Sequence, residues 1–216
     1  MFERDGLPSS VIAKATGKAK RKRGQIYGHV TNRPEYSYAG ISYRINSTGS
    51  GCVTKYLQRT IEQIGGMVEL YGRVMFVRVD LRHPAQTGDS KRLSQFIKSV
   101  KAYSLRVYQS QLGYLWAREQ EKAKSQHYHV ALMLDGDQIR HPAKLLEVVA
   151  EIWVRAGGTV AVPKKPYLFI DDEDTKQEAI YRASYLTKPR GKGYRPDGCR
   201  DFDGSRIPFG QRGRQK

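Results

Sequence analysis

The segment Gln126-His127-Tyr128-His129-Val130-Ala131-Leu132-Met133-Leu134 constrains the fold more than any other part of the chain. Its aromatic, β-branched and apolar residues mark a β-strand. Side chains alternate along a strand, so His127 and His129 share one face. The apolar run after them must be buried, and burying two imidazoles beside it needs a chemical reason. Leu112 to Glu119 reads as the strand before it, and the polar stretch Gln120 to Ser125 as the turn between them. The two strands therefore pair as an antiparallel hairpin. Glu119 lies eight residues before His127 across that turn and can face the pair. Glu121 has the same parity but sits nearer the turn, where register is loose, and is the competing carboxylate.

Two imidazoles at i and i+2 can grip one metal ion. With a single carboxylate they leave coordination positions open, as a catalytic ion needs, whereas a closed structural zinc site takes a fourth protein ligand. Imidazole and oxygen donors suit Mn²⁺, and chemistry at phosphate oxygens suits Mg²⁺. His29, His83 and His141 have no such company and read as ordinary residues, although His83 follows the Asp80 strand and can lie near the pair.

The remaining pattern is α+β. Cys52 to Ile64 has helical apolar spacing and stops at Gly65-Gly66. Val74 to Arg82 reads as a strand, with Val77, Val79 and Leu81 on one face and Arg78, Asp80 and Arg82 on the other. A helix runs from Asp89 or Ser90 to about residue 105, buried through Leu93, Phe96, Ile97 and Val100. Pro142 opens a helix that stops at Gly157-Gly158. Tyr167 to Ile170 is a short strand. The acids Asp171 to Asp174 suit the N-terminus of a helix spanning about Thr175 to Thr187, which Pro189 ends. The expected fold has strands joined as hairpins or through single helices, in a sheet covered on one face.

Charge points to the partner. The net charge is +17 and is concentrated at the ends. Residues 1–33 carry eight Lys and Arg against two acids, and residues 188–216 carry nine against three. Such ends neutralise phosphates and release counterions. Lys20, Arg21, Lys22 and Arg23 lie in a basic arm expected to be disordered. No apolar run is long enough to span a membrane, and the first residues lack the apolar stretch of a signal peptide. Cys52 and Cys199 are far apart, which fits a cytoplasmic protein and no disulfide scaffold.

The second string with chemical content is Tyr181-Arg-Ala-Ser-Tyr185-Leu-Thr-Lys188. On a helix, i, i+3 and i+4 are neighbours, so two phenols and an ammonium share one side. Tyrosines four apart are usually packing. The continuation to Lys188 gives this pair a chemical reading, because a phenol with a pKa of about 10 needs a nearby cation or base to act as a nucleophile at neutral pH. A metal that orients a phosphate for in-line attack by such a phenol would give a phosphotyrosine ester.

These residues resemble a known superfamily. His127-Tyr128-His129 is similar to the His-hydrophobe-His motif of HUH endonucleases, and Tyr181-x3-Tyr185-x2-Lys188 resembles the third motif of two-tyrosine rolling-circle replication initiators. Phe76 to Leu81 occupies the place of their first motif. Trp116-Ala117-Arg118-Glu119-Gln120, the histidine triplet and Arg182 to Lys188 resemble more closely the inovirus gene II-type replication proteins and the YagK/YfjJ C-terminal domain family, over about residues 70–210. The resemblance implies an HUH-type palm, a central antiparallel sheet flanked by helices over residues 34–190, between the basic arm and a basic tail, residues 191–216. It implies nicking of single-stranded origin DNA through a 5′-phosphotyrosine, with Tyr185 as nucleophile, Tyr181 as the partner that alternates with it between cleavage and joining, and Lys188 assisting. Glu119, His127 and His129 would hold Mg²⁺ or Mn²⁺. Arg118, Arg182, Arg190 and Lys192 would contact DNA with the basic arm, and a host helicase and polymerase would complete replication, because the chain has no Walker A string. Within the same chemistry a transposase or relaxase is the alternative. Outside it, the alternative is a non-catalytic DNA-binding regulator on the same scaffold.

Overall fold

The histidine strand becomes the middle of the sheet. The structure, a computed structural model, describes residues 28–85, 87, 89–120, 126–193 and 199–208. In chain order these form β1 (Val30–Thr31), β2 (Glu35–Tyr38), β3 (Ile41–Arg44), β4 (Cys52–Val53), α1 (Thr54–Tyr71), β5 (Val74–Arg82), α2 (Lys91–Tyr108), β6 (Gly113–Glu119), β7 (His127–Asp135), α3 (Ala143–Arg155), β8 (Thr159–Ala161), β9 (Tyr167–Ile170), α4 (Glu173–Ser184), a 3₁₀ turn (Tyr185–Thr187) and β10 (Phe202–Gly204).

Among the described residues, the central sheet has six strands in the order β10-β6-β7-β5-β8, with β9 also paired to β5. Every pairing is antiparallel. β8 pairs with the end of β5 and β9 with its start, so the two short strands share one edge. The expected α+β architecture with a central antiparallel sheet is the observed one. The expectation of a single covered face is corrected, because β5 and β7 are apolar on both faces. Val77, Val79, Val130 and Leu132 pack with Leu93, Phe96, Val149 and Trp153 from α2 and α3. Phe76, Ala131 and Met133 pack with Ile61, Ile64, Ile180 and Ala183 from α1 and α4. Strands buried on both faces cannot alternate cleanly, which is why β7 reads as a near-continuous apolar run.

Two boundaries differ from the expectation for physical reasons. Helix α1 does not stop at Gly65-Gly66. A Cβ on Gly66 would stand 2.7 Å from the carbonyl oxygen of Pro208, so glycine here allows close packing against the C-terminal segment. Gln63, one turn earlier, holds the same segment: its amide donates to Ile207 O and its Oε1 accepts from Ser205 Oγ and Ile207 N. The helix ends at Gly72, which has φ of 73° and donates its N–H to Val68 O. The second correction concerns the expected tail from residue 191. Phe202 pairs with Ala117 in β10 and stacks on Tyr56 at 4.5 Å, so residues 199–208 belong to the folded unit. At the other end, β1 pairs with β4, so the folded part also takes in the end of the expected basic arm.

The core around β7 sets a first prediction. Leu132 is fully buried in the middle of the sheet. Leu132→Ala is expected to destabilise the protein by about 2–5 kcal/mol through lost burial and the cavity left behind. A lower urea midpoint at unchanged slope would show it, and an unmoved midpoint would place β7 outside the core. Among the described residues, no helix is long and apolar enough to cross a membrane.

Candidate metal centre

Strand register brings the site together. Glu119 is the Cα partner of His127 across the β6–β7 hairpin. On the other side of β7, Asp80 is the partner of His129. Alternation then puts Arg78, Asp80, Glu119, His127 and His129 on the α1/α4 face, at one end of the sheet. Glu119 Oε2 lies 3.4 Å from His127 Nε2 and 3.4 Å from His129 Nε2, and the three donor atoms lie within 4.8 Å of one another. An ion about 2.1 Å from each donor would place donors about 3–4 Å apart, so the set fits one.

The hydrogen bonding supports the same fit. His129 Nδ1 is 2.6 Å from Asp80 Oδ1. As the N–H donor in that bond, Nδ1 leaves the lone pair of Nε2 available, the usual arrangement behind a metal-bound histidine. His129 Nε2 is buried and makes no hydrogen bond. Burial disfavours an imidazolium at His129, but Asp80 and Glu119 outweigh it and raise the pKa. Burial would likewise raise Glu119, yet the two histidines and the Lys192 ammonium hold it well below the usual carboxylate range. Asp80 is held low against its burial by His129 and Arg78. The cluster Glu119–His127–His129 could therefore hold a metal ion, with Asp80 as the outer partner of His129.

Lys192 is a correction. Expected on a solvated tail and in contact with DNA, it is 1% exposed. Its Nζ lies 3.4 Å from Glu119 Oε1 and donates to Lys188 O. Burial pushes its pKa down, and the Glu119 charge opposes that. The loop is fitted to this strand end: Gln120 N donates to Gly191 O, and Gly191 has φ of 71° with space for a Cβ only 3.1 Å from Glu119 Cβ. Lys192 thus holds the oxygen of Glu119 that the histidines do not face. Lys192→Met, which keeps the length without the charge, is expected to weaken Mn²⁺ binding about tenfold. Titration calorimetry measures this, and an unchanged affinity would show that Glu119 is held without it.

Arg118 is the other corrected DNA contact. Its parity turns it to the opposite face, where it is buried and donates to Thr87 O. His83 is buried on that face too, bonded to Ala156 O and Ala85, and does not approach the pair. Lys20, Arg21, Lys22, Arg23 and Glu121 lie outside the described residues.

Helix α4 delivers the tyrosines. Asp172 caps it in a reciprocal capping box with Thr175, and the last turn tightens to 3₁₀ at Tyr185–Thr187 before Lys188 turns extended ahead of Pro189. The Tyr185 ring stands edge-on to His129 at 5.2 Å. The Arg78 guanidinium lies 4.6 Å from the ring centroid and Lys188 Nζ 5.2 Å from it. Lys188 also donates to Asn46 Oδ1 and Thr48 O, while Ser184 Oγ accepts from Asn46 N. These bonds fold the Asn46–Ser50 loop over the site. The resulting cavity, about 280 Å³, is lined by that loop with Glu119, His127, His129, Tyr185, Lys188 and Arg190. Burial raises the Tyr185 phenol, Glu119 adds to this, and Arg78 opposes it.

Tyr181 and Arg182 are not in this cavity. Tyr181 lies under the Arg44 guanidinium at 4.8 Å, and Arg182 is tied to Glu178 Oε1 and Lys165 O. The groups that sequence reasoning missed are Arg78, Asp80, the Asn46–Ser50 loop and the inward role of Lys192. Alternation in β5 already puts Arg78 and Asp80 on one face, which is the signal for those two.

A family model, the YagK/YfjJ C-terminal domain, matches residues 39–205, which contain every residue of the cluster, and the chain belongs to that family. No curated protein and no solved structure matches the chain.

Proposed function

We propose that this member of the YagK/YfjJ C-terminal domain family is a metal-dependent HUH-type endonuclease that nicks and rejoins single-stranded DNA to start rolling-circle replication of a phage or mobile element. The observation that carries the proposal is the convergence of Glu119, His127 and His129 with the Tyr185 ring in one cavity. Mg²⁺ or Mn²⁺ held by those three side chains would supply Lewis-acid polarisation of the scissile phosphate.

The chain's own groups do the rest. Tyr185 Oη attacks phosphorus and loses its proton to solvent. The P–O3′ bond breaks, and its electron pair leaves on O3′, which takes up a proton. The phenol starts from an unfavourable position, because burial and Glu119 raise its pKa. With the charge of Glu119 committed to a cation, Arg78 and Arg190 favour the phenolate against Asp80, and Lys188, 5.2 Å from the ring centroid, favours the charged phosphate. The Asn46–Ser50 loop narrows the opening through its bonds to Lys188 and Ser184. The 5′-phosphotyrosine keeps the bond energy for rejoining, and the free 3′-OH primes a polymerase.

The test is polymerase extension. The protein with Mg²⁺ or Mn²⁺ and its cognate single strand should yield a 3′ end that a polymerase extends and a 5′ end blocked by protein. Tight DNA binding without any new 3′ end would favour the non-catalytic regulator.

A further inference from the structure

A second groove adjoins the metal cavity. It holds about 340 Å³ between the β8–β9 connection and α4, and its lining includes Arg78, Lys164, Lys165, Tyr181, Arg182 and Tyr185. Tyr185 lines both cavities, so the groove opens directly beside the reacting phenol. Four of its lining side chains are cationic, and Glu178 is the one carboxylate among the described lining residues. Glu178 is already shared between Arg44 and Arg182. The two lysines are exposed and are presented by a short Pro163-Lys164-Lys165-Pro166 turn, whose Pro166 O accepts from Arg78 N. Lys165 has φ of 52°, so this turn holds an uncommon backbone conformation.

We infer that this groove is a subsite for the nucleotides next to the scissile phosphate of single-stranded DNA, and that Tyr181 is a base-stacking residue there and not a second nucleophile. The inference rests on the proposed nicking reaction for the direction in which the strand leaves the site. Cations that track a backbone and a ring that offers its face to a base are the two parts of a single-strand binding groove. Tyr181 is half-buried at the groove wall beside the cationic Arg182, and the Arg44 guanidinium lies 4.8 Å from its ring centroid. Attack on the phosphate held at the histidines would require the Tyr181 hydroxyl to open into the metal cavity, and Tyr181 does not line that cavity.

The test uses the full chain and a dT12 oligonucleotide in EDTA, so that binding is read without the nicking reaction. Fluorescence anisotropy should show Tyr181→Leu binding about 5- to 150-fold more weakly, the range expected for one lost base stack. Tyr181→Phe should bind like the unmodified protein and form covalent adduct normally. Lys164→Ser/Lys165→Ser should lower the salt dependence of binding by about 1.4 in log–log slope, two phosphate contacts' worth. Oligonucleotides carrying 5-iododeoxyuridine should photo-crosslink to Tyr181. Equal binding by Tyr181→Leu together with no crosslink at Tyr181 would overturn the inference, as would loss of joining in Tyr181→Phe. Groove-dependent binding with no adduct at any tyrosine would sink the nicking reaction while leaving the subsite standing.

Discussion

Tyr185→Phe is expected to abolish covalent attachment to DNA, a loss of about a thousandfold or more, or about 4 kcal/mol in the barrier. The substitution removes one oxygen and keeps the ring. The edge contact with His129 at 5.2 Å and the Arg78 contact at 4.6 Å both belong to that ring, so folding and metal binding should survive. DNA affinity should survive as well, because the ring that lines the groove is kept and the groove's lysines are untouched. Single-turnover adduct formation beside anisotropy and a melting curve separates these effects. Adduct at the normal rate in Tyr185→Phe would mean another nucleophile. If that adduct sat on Tyr181, it would overturn the subsite assignment too.

The second large effect is at the metal. His129→Ala removes one of the three donors and also the hydrogen-bond partner of Asp80. Mn²⁺ affinity is expected to fall about a hundredfold or more, and Asp80→Asn, one step further out, should cost about 10- to 100-fold. The direction with pH follows from the raised pKa of His129. Below that pKa the imidazolium must lose its proton before it can bind an ion, so affinity should rise as pH rises through it. Calorimetric titration of Mn²⁺ checks both claims. Undiminished affinity in His129→Ala would remove the cluster as the binding site.

Much of this site could be read before any coordinates. Period-two alternation fixed the common face of His127 and His129, but the loose register of the connection left Glu119 and Glu121 both open as the carboxylate, and the pairing of Glu119 with His127 is what puts Glu119 there. Helical spacing likewise put Lys188 beside Tyr185. The same spacing misled for Tyr181. Being one turn away on a helix says which side a residue is on but not which of two adjoining cavities it enters. Arg118 was legible, since its parity next to Glu119 turns it to the other face, but Lys192 was not, for a different reason. A cation in a Gly- and Arg-rich stretch reads as solvated, and only the long-range pairing of Phe202 with Ala117 reveals that this stretch folds back on β6. The β2–β3 hairpin also escaped notice. Its two-residue turn is Ala39-Gly40, both at positive φ, and Ala39 carries none of the Asn or Asp preference that marks such turns. Gly65-Gly66 failed as a stop signal because close packing against Pro208 needs glycine there, and nothing local distinguishes that need from a helix end.

The most direct test of the central claim is covalent capture. Labelled single-stranded DNA, including the sequence flanking the protein's own gene, is incubated with the full chain and Mg²⁺ or Mn²⁺ and run on a denaturing gel. The proposed reaction predicts a protein–DNA band that disappears with EDTA and in His127→Ala, and whose digested peptide carries the nucleotide on Tyr185. The absence of that band under both metals, with DNA still tightly bound, would contradict the nicking reaction and leave a DNA-binding regulator built on the same sheet.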